Sequence, residues 1–150
     1  MQVSKHLTLE ELTHSDTAIK LGIVNQPNQL QLANLKRLAN EVFEPVREHF
    51  KVPIHISSGY RIMNLNQAVK GSVTSQHCSG EAIDIDMKEG KVTNKMIFDY
   101  IKDNLKFDQI IAEFGTKDNP DWVHVSYSDK NRNQVLRAKK VGGKTIYEKY

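Results

Sequence analysis

The sequence predicts an α+β fold in which helices pack on one face of a mainly antiparallel sheet. Two observations indicate this class. Helical signals come first along the chain and short apolar strands follow, mixed with one helix. The strongest helical segment, residues 28–50, has apolar residues at intervals of three and four, which gives it one apolar face. Helices followed by strands are typical of α+β proteins rather than of a repeating βαβ order.

The first half of the chain contains clear helix boundaries. Thr8 is predicted to cap a short helix because Glu11 follows at the capping-box spacing. Ser15 is predicted to start a second helix, and Gly22 to end it. Pro45 interrupts the long helical segment and should kink or split it, because proline lacks the backbone N–H that the helix needs.

The second half of the chain carries the predicted strands. Short apolar runs predict strands over residues 53–58, 82–87, 108–114 and 122–127, and a helix over 93–105. Gly142 and Gly143 suit a tight hairpin turn. At 150 residues the chain is long enough for one domain with a core and short for two, so a single domain over 1–150 is predicted.

Composition excludes several classes of protein. Hydrophobic residues make up 39% and charged residues 26%, as in an ordinary soluble domain. The single cysteine, Cys78, excludes an internal disulfide and a cysteine-rich zinc site. No apolar run approaches the roughly 20 residues of a membrane span, and no signal peptide is recognisable, so synthesis in the cytoplasm is expected.

The net charge of +3 is mildly basic. Basic residues near the C-terminus are Arg137, Lys139, Lys140, Lys144 and Lys149. They either help the protein approach an anionic surface or form a solvated tail. Aromatic and basic residues do not interleave as a nucleic-acid platform requires, so no nucleic-acid partner is expected.

The stretch SQHCSGEAIDID, residues 75–86, concentrates candidate metal ligands. On the predicted strand, Asp84 faces away from the isoleucines beside it, and Gly80 lets the preceding loop fold His77 back over that face. Imidazole and carboxylate groups are zinc ligands, which makes His77 and Asp84 candidates for one metal ion. The alternative is a solvated loop histidine before a strand with an exposed acidic face.

The stretch NPDWVHVSY, residues 119–127, supplies the third candidate. A catalytic zinc site needs three protein ligands and one open position, and His124 would complete the set. Asp121 is a candidate general base if the proline before it makes the start of the strand irregular, because on an ideal strand Asp121 and His124 face opposite ways. The alternative for His124 is a half-buried structural histidine, and the alternative for Asp121 is a residue of a turn.

Together the two motifs, S-x-H-x-x-G-x-A-x-D and D-x-x-H, resemble the D-Ala-D-Ala metallopeptidase family over about residues 30–128. That family includes zinc D-Ala-D-Ala carboxypeptidases, dipeptidases and phage endolysins that cut the L-Ala-D-Glu bond, and it shares its fold with the hedgehog signalling domain. The resemblance implies that His77, Asp84 and His124 bind one Zn²⁺ ion and that Asp121 is the general base.

The segment SSGYR, residues 57–61, matches the S-G-[YF]-R motif of the same family. The resemblance implies that Arg61 binds and polarises the substrate, and a fixed guanidinium suits both a developing oxyanion and a peptide carboxylate. Without the other motifs, Arg61 would be interpreted as an arginine in a surface turn. Ser75 and Gln76 are secondary candidates for substrate contacts.

Other polar residues are given lesser roles. Asp86 is a candidate to support a ligand, and Glu113 a candidate to line the cleft or to support His124. Cys78 is not predicted as a ligand, because Asp84 already completes the three. The remaining histidines, expected to be structural or exposed, are His6, His14, His49 and His55.

The predicted function is zinc-dependent hydrolysis of a peptide bond in the peptidoglycan stem peptide, by a monomer. The enzyme would be an endolysin of phage or prophage type, acting on the L-Ala-D-Glu bond after release at lysis, or a D-Ala-D-Ala carboxypeptidase. An intracellular dipeptidase fits the lack of a signal peptide equally well. The alternative from another class is a non-catalytic zinc-bearing module that binds the cell wall or a partner.

Overall fold

The computed structural model describes residues 1–150 and contains eight strands and six α-helices. The strands are β1 (Gln2–Ser4), β2 (Leu7–Thr8), β3 (Ile56–Ser58), β4 (Ala82–Ile85), β5 (Gln109–Glu113), β6 (Trp122–Ser126), β7 (Gln134–Val141) and β8 (Lys144–Lys149). The helices are α1 (Leu9–Thr13), α2 (Asp16–Leu21), α3 (Gln29–Leu38), α4 (Glu44–Phe50), α5 (Met63–Ala68) and α6 (Asn94–Asn104).

Six of the strands form one sheet in the order β3-β4-β6-β5-β7-β8. Every neighbouring pair is antiparallel except β5 and β7, which are parallel. Strands β1 and β2 form a separate antiparallel pair. The predicted α+β class with a mainly antiparallel sheet is therefore confirmed.

The long N-terminal helical segment is divided, as predicted from the position of Pro45. A π-helical turn over Ala39–Phe43 joins α3 to α4, and Pro45 lies in the first turn of α4. Proline has no N–H to donate to the preceding turn, so the regular hydrogen-bond ladder cannot run through it. The predicted apolar face is buried in the core at Leu35, Leu38, Ala39, Val42, Phe43 and Val46.

Helix α6 packs on β5 and β6 and buries one side of the sheet. Its buried residues Ile97, Phe98 and Ile101 belong to the same apolar cluster as Val123 and Val125 of β6. Because strand side chains alternate, the residues between these valines face the opposite side of the sheet. That opposite face carries both polar and apolar side chains, among them His124 and its register partner Ile111.

Local signals place most of the boundaries. The hydroxyl groups of Thr8 and Ser15 cap α1 and α2, as predicted. Gly142 and Gly143 have φ of +57° and +78° in the β7–β8 hairpin, a conformation that favours glycine. The predicted strand over 53–58 begins only at Ile56. Strands β1 and β2 had no prediction, and β7 and β8 were predicted only through the hairpin turn between them. None of the helices has the length and apolar character needed to span a membrane.

Candidate metal centre

Two neighbouring strands supply two of the three candidate ligands. Asp84 of β4 and His124 of β6 are direct register partners, so their side chains stand side by side on the face away from α6. His77 comes from a short 3-10 turn, Gln76–Ser79, that precedes β4. Gly80 ends this turn at φ +75°, the left-handed conformation that returns the chain to the strand.

The three side chains meet at one carboxylate oxygen. Asp84 Oδ1 lies 3.3 Å from His77 Nε2 and 3.0 Å from His124 Nδ1. One ligand atom from each residue lies within 4.8 Å of the other two. Zinc bonds of about 2.0–2.2 Å put tetrahedral ligand atoms about 3.3–3.6 Å apart. The observed spacing therefore fits a single ion with little rearrangement.

A backbone carbonyl sets the orientation of the first histidine. His77 is buried, and its Nδ1 lies 2.7 Å from the carbonyl oxygen of Gly59. The carbonyl can only accept, so Nδ1 carries the proton and donates. Nε2 is thereby the nitrogen that faces Asp84, and it is the one left to bind a metal, which displaces any proton that it carries.

The charge state of Asp84 also suits a metal ligand. Burial acts to raise the pKa of Asp84, but the imidazoles of His77 and His124 outweigh it and hold that pKa well below its usual range. Asp84 is therefore ionised at neutral pH. Two imidazoles and one carboxylate form a common donor set for a catalytic zinc site, with room for one further ligand.

His77, Asp84 and His124, which we call the ligand group or the metal residues, lie in an open cleft of about 780 Å³. The floor of the cleft crosses the sheet from β4 through β6 and β5 to Leu136 of β7 and Tyr147 of β8. The loop containing residues 70–76 forms another wall. A peptide can therefore reach the metal residues from solvent and extend across the sheet.

Arg61 also lines this cleft. Its Nη2 donates to the hydroxyl oxygen of Ser75 at 3.3 Å, and its backbone N–H donates to the carbonyl of His77. No carboxylate pairs with Arg61, and its Nε is buried without a hydrogen-bond partner. A guanidinium in this state has donors and charge available for a ligand.

Asp121 is not brought into the cleft. Its side chain is exposed at the start of β6 and is absent from the cleft walls. The backbone N–H of Asp121 donates to Glu113, and its carbonyl accepts from Asn94 at the first turn of α6. The start of the strand is therefore tied to the first turn of α6, and the role of Asp121 as general base stays a prediction.

Glu113 occupies the cleft instead. It is only 7% exposed, lines the cleft, and lies on β5 two residues beyond Ile111, the register partner of His124. Burial raises the pKa of Glu113 to about 7, with Asp84 adding to the rise and His124 opposing it. The prediction that Glu113 lines the cleft is thereby confirmed, and its signal in the sequence is the segment IIAEFG, where a lone acid ends an apolar run.

The other polar residues lie outside the ligand group. Asp86 accepts a hydrogen bond from Asn94 and does not line the cleft, so it does not support Asp84. Cys78 is half-buried, and burial raises the pKa of its thiol. His6 contacts Glu44. Cys78 is outside the ligand group, as predicted, and the contact of His6 agrees with the structural role predicted for that histidine.

The comparisons with known proteins agree with this geometry. The family model described as Peptidase M15 matches residues 5–126, which is most of the chain and includes every residue of the ligand group. A search among curated proteins finds no match. The family match and the His77–Asp84–His124 group together show that the chain belongs to the peptidase M15 family and is a zinc metallopeptidase.

Proposed function

We propose that this protein cuts the L-Ala-D-Glu bond of the peptidoglycan stem peptide, as an endolysin-type endopeptidase does. The observation that carries the proposal is the position of the metal residues, which lie in the floor of a cleft that continues across the sheet. A carboxypeptidase that removes the terminal D-Ala is the second candidate. Membership of the peptidase M15 family supports peptidoglycan peptidase activity for both.

The extent of the cleft favours the endopeptidase. The metal residues stand over β4 and β6, and the cleft continues past them to Tyr147 of β8. A carboxypeptidase needs little room beyond the scissile bond, whereas an endopeptidase must hold chain on both sides of it. The net charge of +3 also suits a monomer that reaches an anionic cell wall after release from a phage or prophage host.

His77, Asp84 and His124 would hold the zinc ion. When bound there, zinc lowers the pKa of a coordinated water and polarises the scissile carbonyl. The Gly59 carbonyl keeps His77 in the tautomer that this requires. Arg61 binds the carbonyl oxygen as negative charge develops on it, because its guanidinium lies in the cleft with no acidic partner.

The proton acceptor in this proposal is the carboxylate of Glu113. It lies in the cleft on the same face of the sheet as His124, and no hydrogen-bond donor engages it. It takes a proton from the attacking water and passes it to the leaving amine. Asp121, the base implied by the family motif, is the rival for this role, but its exposed side chain is absent from the cleft walls.

Digestion of purified peptidoglycan tests which bond is cut. The zinc-loaded protein is incubated with the polymer, and the released ends are identified by mass spectrometry. New L-Ala and D-Glu ends would support the endopeptidase, and loss of only the terminal D-Ala would support the carboxypeptidase. If the protein holds zinc and binds the wall without cutting it, the non-catalytic module becomes the better interpretation.

The matched variants Glu113→Gln and Asp121→Asn identify the base. Both exchange a carboxylate for an amide of the same shape. We expect Glu113→Gln to lower kcat by about 100-fold or more and Asp121→Asn by less than about threefold, with zinc content unchanged in both. The reverse order would assign the base to Asp121 and would require the start of β6 to rearrange on substrate binding.

A further inference from the structure

A second arginine, Arg132, lines the same cleft as the metal residues. It lies in the loop between β6 and β7, and its side chain is 52% exposed. A guanidinium remains protonated and has no lone pair, so Arg132 can neither bind the metal nor accept the proton. Its position in the cleft therefore indicates a role other than metal binding or proton transfer.

Asp108 holds the guanidinium of Arg132 in one orientation. Asp108 Oδ1 accepts from Nε of Arg132 at 2.8 Å, and Oδ2 accepts from Nη2 at 2.9 Å. The backbone N–H of Arg132 donates to the same carboxylate at 3.0 Å. Asp108 is itself only 3% exposed, so the planar pair is fixed by a nearly buried group.

The segment Ser75–Gln76 connects this pair to Arg61. Gln76 Nε2 donates to Asp108 Oδ2 at 2.9 Å, while the Ser75 hydroxyl accepts from Arg61. Ser75 and Gln76, which were predicted as substrate contacts, therefore each form a hydrogen bond that positions one of the two cleft arginines. Ser75 contacts one arginine directly, and Gln76 contacts the carboxylate that holds the other.

Part of the Arg132 guanidinium remains free. Its Nε and one N–H of Nη2 are engaged by Asp108, which leaves the Nη1 group and the other N–H of Nη2 without a partner. A side chain that is already fixed loses little further rotamer entropy when it binds a ligand. The free edge of the guanidinium has the planar donor arrangement that matches a carboxylate.

We propose that Arg132, positioned by Asp108 and Gln76, binds a free carboxylate of the peptide substrate at a position separate from Arg61. The proposal rests on the proposed function, because it assumes that a stem peptide occupies the cleft. Arg132 would then determine which stem peptides are accepted. A peptide whose carboxylate is amidated loses the negative charge and offers an N–H in place of one of the two acceptor oxygens, so it should bind more weakly.

The test uses one synthetic stem pentapeptide that contains L-Ala-D-Glu and ends in D-Ala-D-Ala. Two further versions have either the D-Glu carboxylate or the terminal carboxylate amidated. Cleavage by the zinc-loaded protein gives kcat and KM for each version. Binding is measured separately on the metal-free full-length chain, where Trp122 is the sole tryptophan and lines the cleft, so its fluorescence reports occupancy.

We expect amidation of one of the two carboxylates to weaken binding to the wild-type chain by about 10- to 100-fold. Arg132→Gln should bind the free-acid peptide as weakly as the wild type binds that amide, with no further loss on amidation. Arg132→Lys should restore only part of the affinity, because a lysine is a point charge without the planar fork. KM should follow binding, while kcat changes by less than about threefold.

Arg37→Gln is the matched control. Arg37 also pairs with an aspartate, Asp129, but it does not line the cleft. Each variant is checked for a retained fold at the assay temperature and for unchanged zinc content. If Arg132→Gln retains its fold and still discriminates acid from amide as the wild type does, the proposal is overturned.

The two proposals fail in distinguishable ways. Cleavage of the stem peptide with no effect of Arg132→Gln on acid–amide discrimination would leave the peptidase function standing and remove the role of Arg132. Binding that depends on Arg132 and on the carboxylate, without cleavage by the zinc-loaded protein, would leave the carboxylate site standing and remove the peptidase function.

Discussion

At the scale of single residues, the chemistry of the site depends on which carboxylates are ionised. Asp84 and Glu113 share one cleft but have opposite environments. Two imidazoles hold the pKa of Asp84 below its usual range, whereas burial without a hydrogen-bond donor raises that of Glu113 to about 7. The first group is therefore suited to bind a cation, and the second to exchange a proton near neutral pH.

Asp84→Asn tests the first of these assignments. Replacing the carboxylate by a neutral amide removes the charge that compensates the ion and leaves a poorer ligand. We expect zinc affinity to fall by at least about 100-fold. Competition with a chromophoric chelator measures it, and the exposed-site variant Asp129→Asn serves as the control. An unchanged affinity would mean that the ion binds elsewhere.

Glu113→Gln has a second consequence, for stability. In the metal-free protein the pKa of Glu113 is about 7, against 4.5 for an ordinary glutamate. Between these values the folded state holds more protons than the unfolded state, so wild-type stability falls as pH rises from about 4.5 to about 7. Glu113→Gln has no carboxyl group to titrate, so its free energy of unfolding should not fall in this way. Above pH 7 the variant should be more stable than wild type by up to about 3 kcal/mol.

Urea unfolding of both proteins at pH 4 and pH 8, with EDTA present, measures this difference. The gain in stability from Glu113→Gln should be larger at pH 8. An equal difference at the two pH values would show that the glutamate does not change its pKa on folding, which would weaken the case for its part in proton transfer.

At the scale of elements, glycines set how the ligand-bearing turn approaches its neighbours. Gly80 has φ of +75°, and a Cβ built there would lie 2.4 Å from the carbonyl oxygen of Gln31 in α3. Gly59 is equally close-packed, with its Cβ position 2.3 Å from the carbonyl oxygen of Leu12 in α1. The turn holding His77 is thus positioned by two backbone contacts that no larger residue permits.

The substitution Gly80→Ala should therefore cost more than a conformational penalty alone. We expect a loss of roughly 2–4 kcal/mol in unfolding free energy, from the left-handed φ and the backbone clash together. Gly142→Ala is the matched control, because it has φ of +57° but open space around it, and it should cost about 1 kcal/mol. Chemical denaturation compares them, and equal losses would show that the contact with Gln31 is unimportant.

At the scale of the whole molecule, metal binding and folding are coupled. The three ligands come from a turn before β4, from β4 and from β6, segments that are separated in sequence and meet only in the folded chain. An ion that binds the folded state alone stabilises it by an amount that grows with free metal concentration. The ion would thus connect the turn at residues 76–79 to the sheet.

Zinc removal should therefore lower the melting temperature. At free zinc about 100 times the dissociation constant, the stabilisation is about 2.7 kcal/mol, which corresponds to roughly 5–10 °C for a chain of this size. Thermal unfolding with zinc and with EDTA measures it. The variant Asp84→Asn should show little difference between the two conditions, and a wild-type protein that behaves the same way would contradict a site formed by folding.

The sequence by itself determined the features that depend on near neighbours. Capping by Thr8 and Ser15, the break at Pro45 and the hairpin at Gly142–Gly143 follow from local backbone chemistry, and each was predicted. The grouping of His77, Asp84 and His124 was predicted from strand alternation and a shared motif, because a strand fixes which face each side chain takes.

Only the tertiary structure decided what depends on the pairing of distant strands. The sequence left Glu113 and Asp121 open as cleft residues. The register of β5 against β6 puts Glu113 on the same face of the sheet as His124, and backbone hydrogen bonds tie Asp121 to Glu113 and Asn94. The position of Arg132 depends on Asp108, 24 residues earlier in the chain. Such long-range pairings leave no periodic trace in the sequence, because their partners are set by the packing of the whole sheet rather than by adjacent residues.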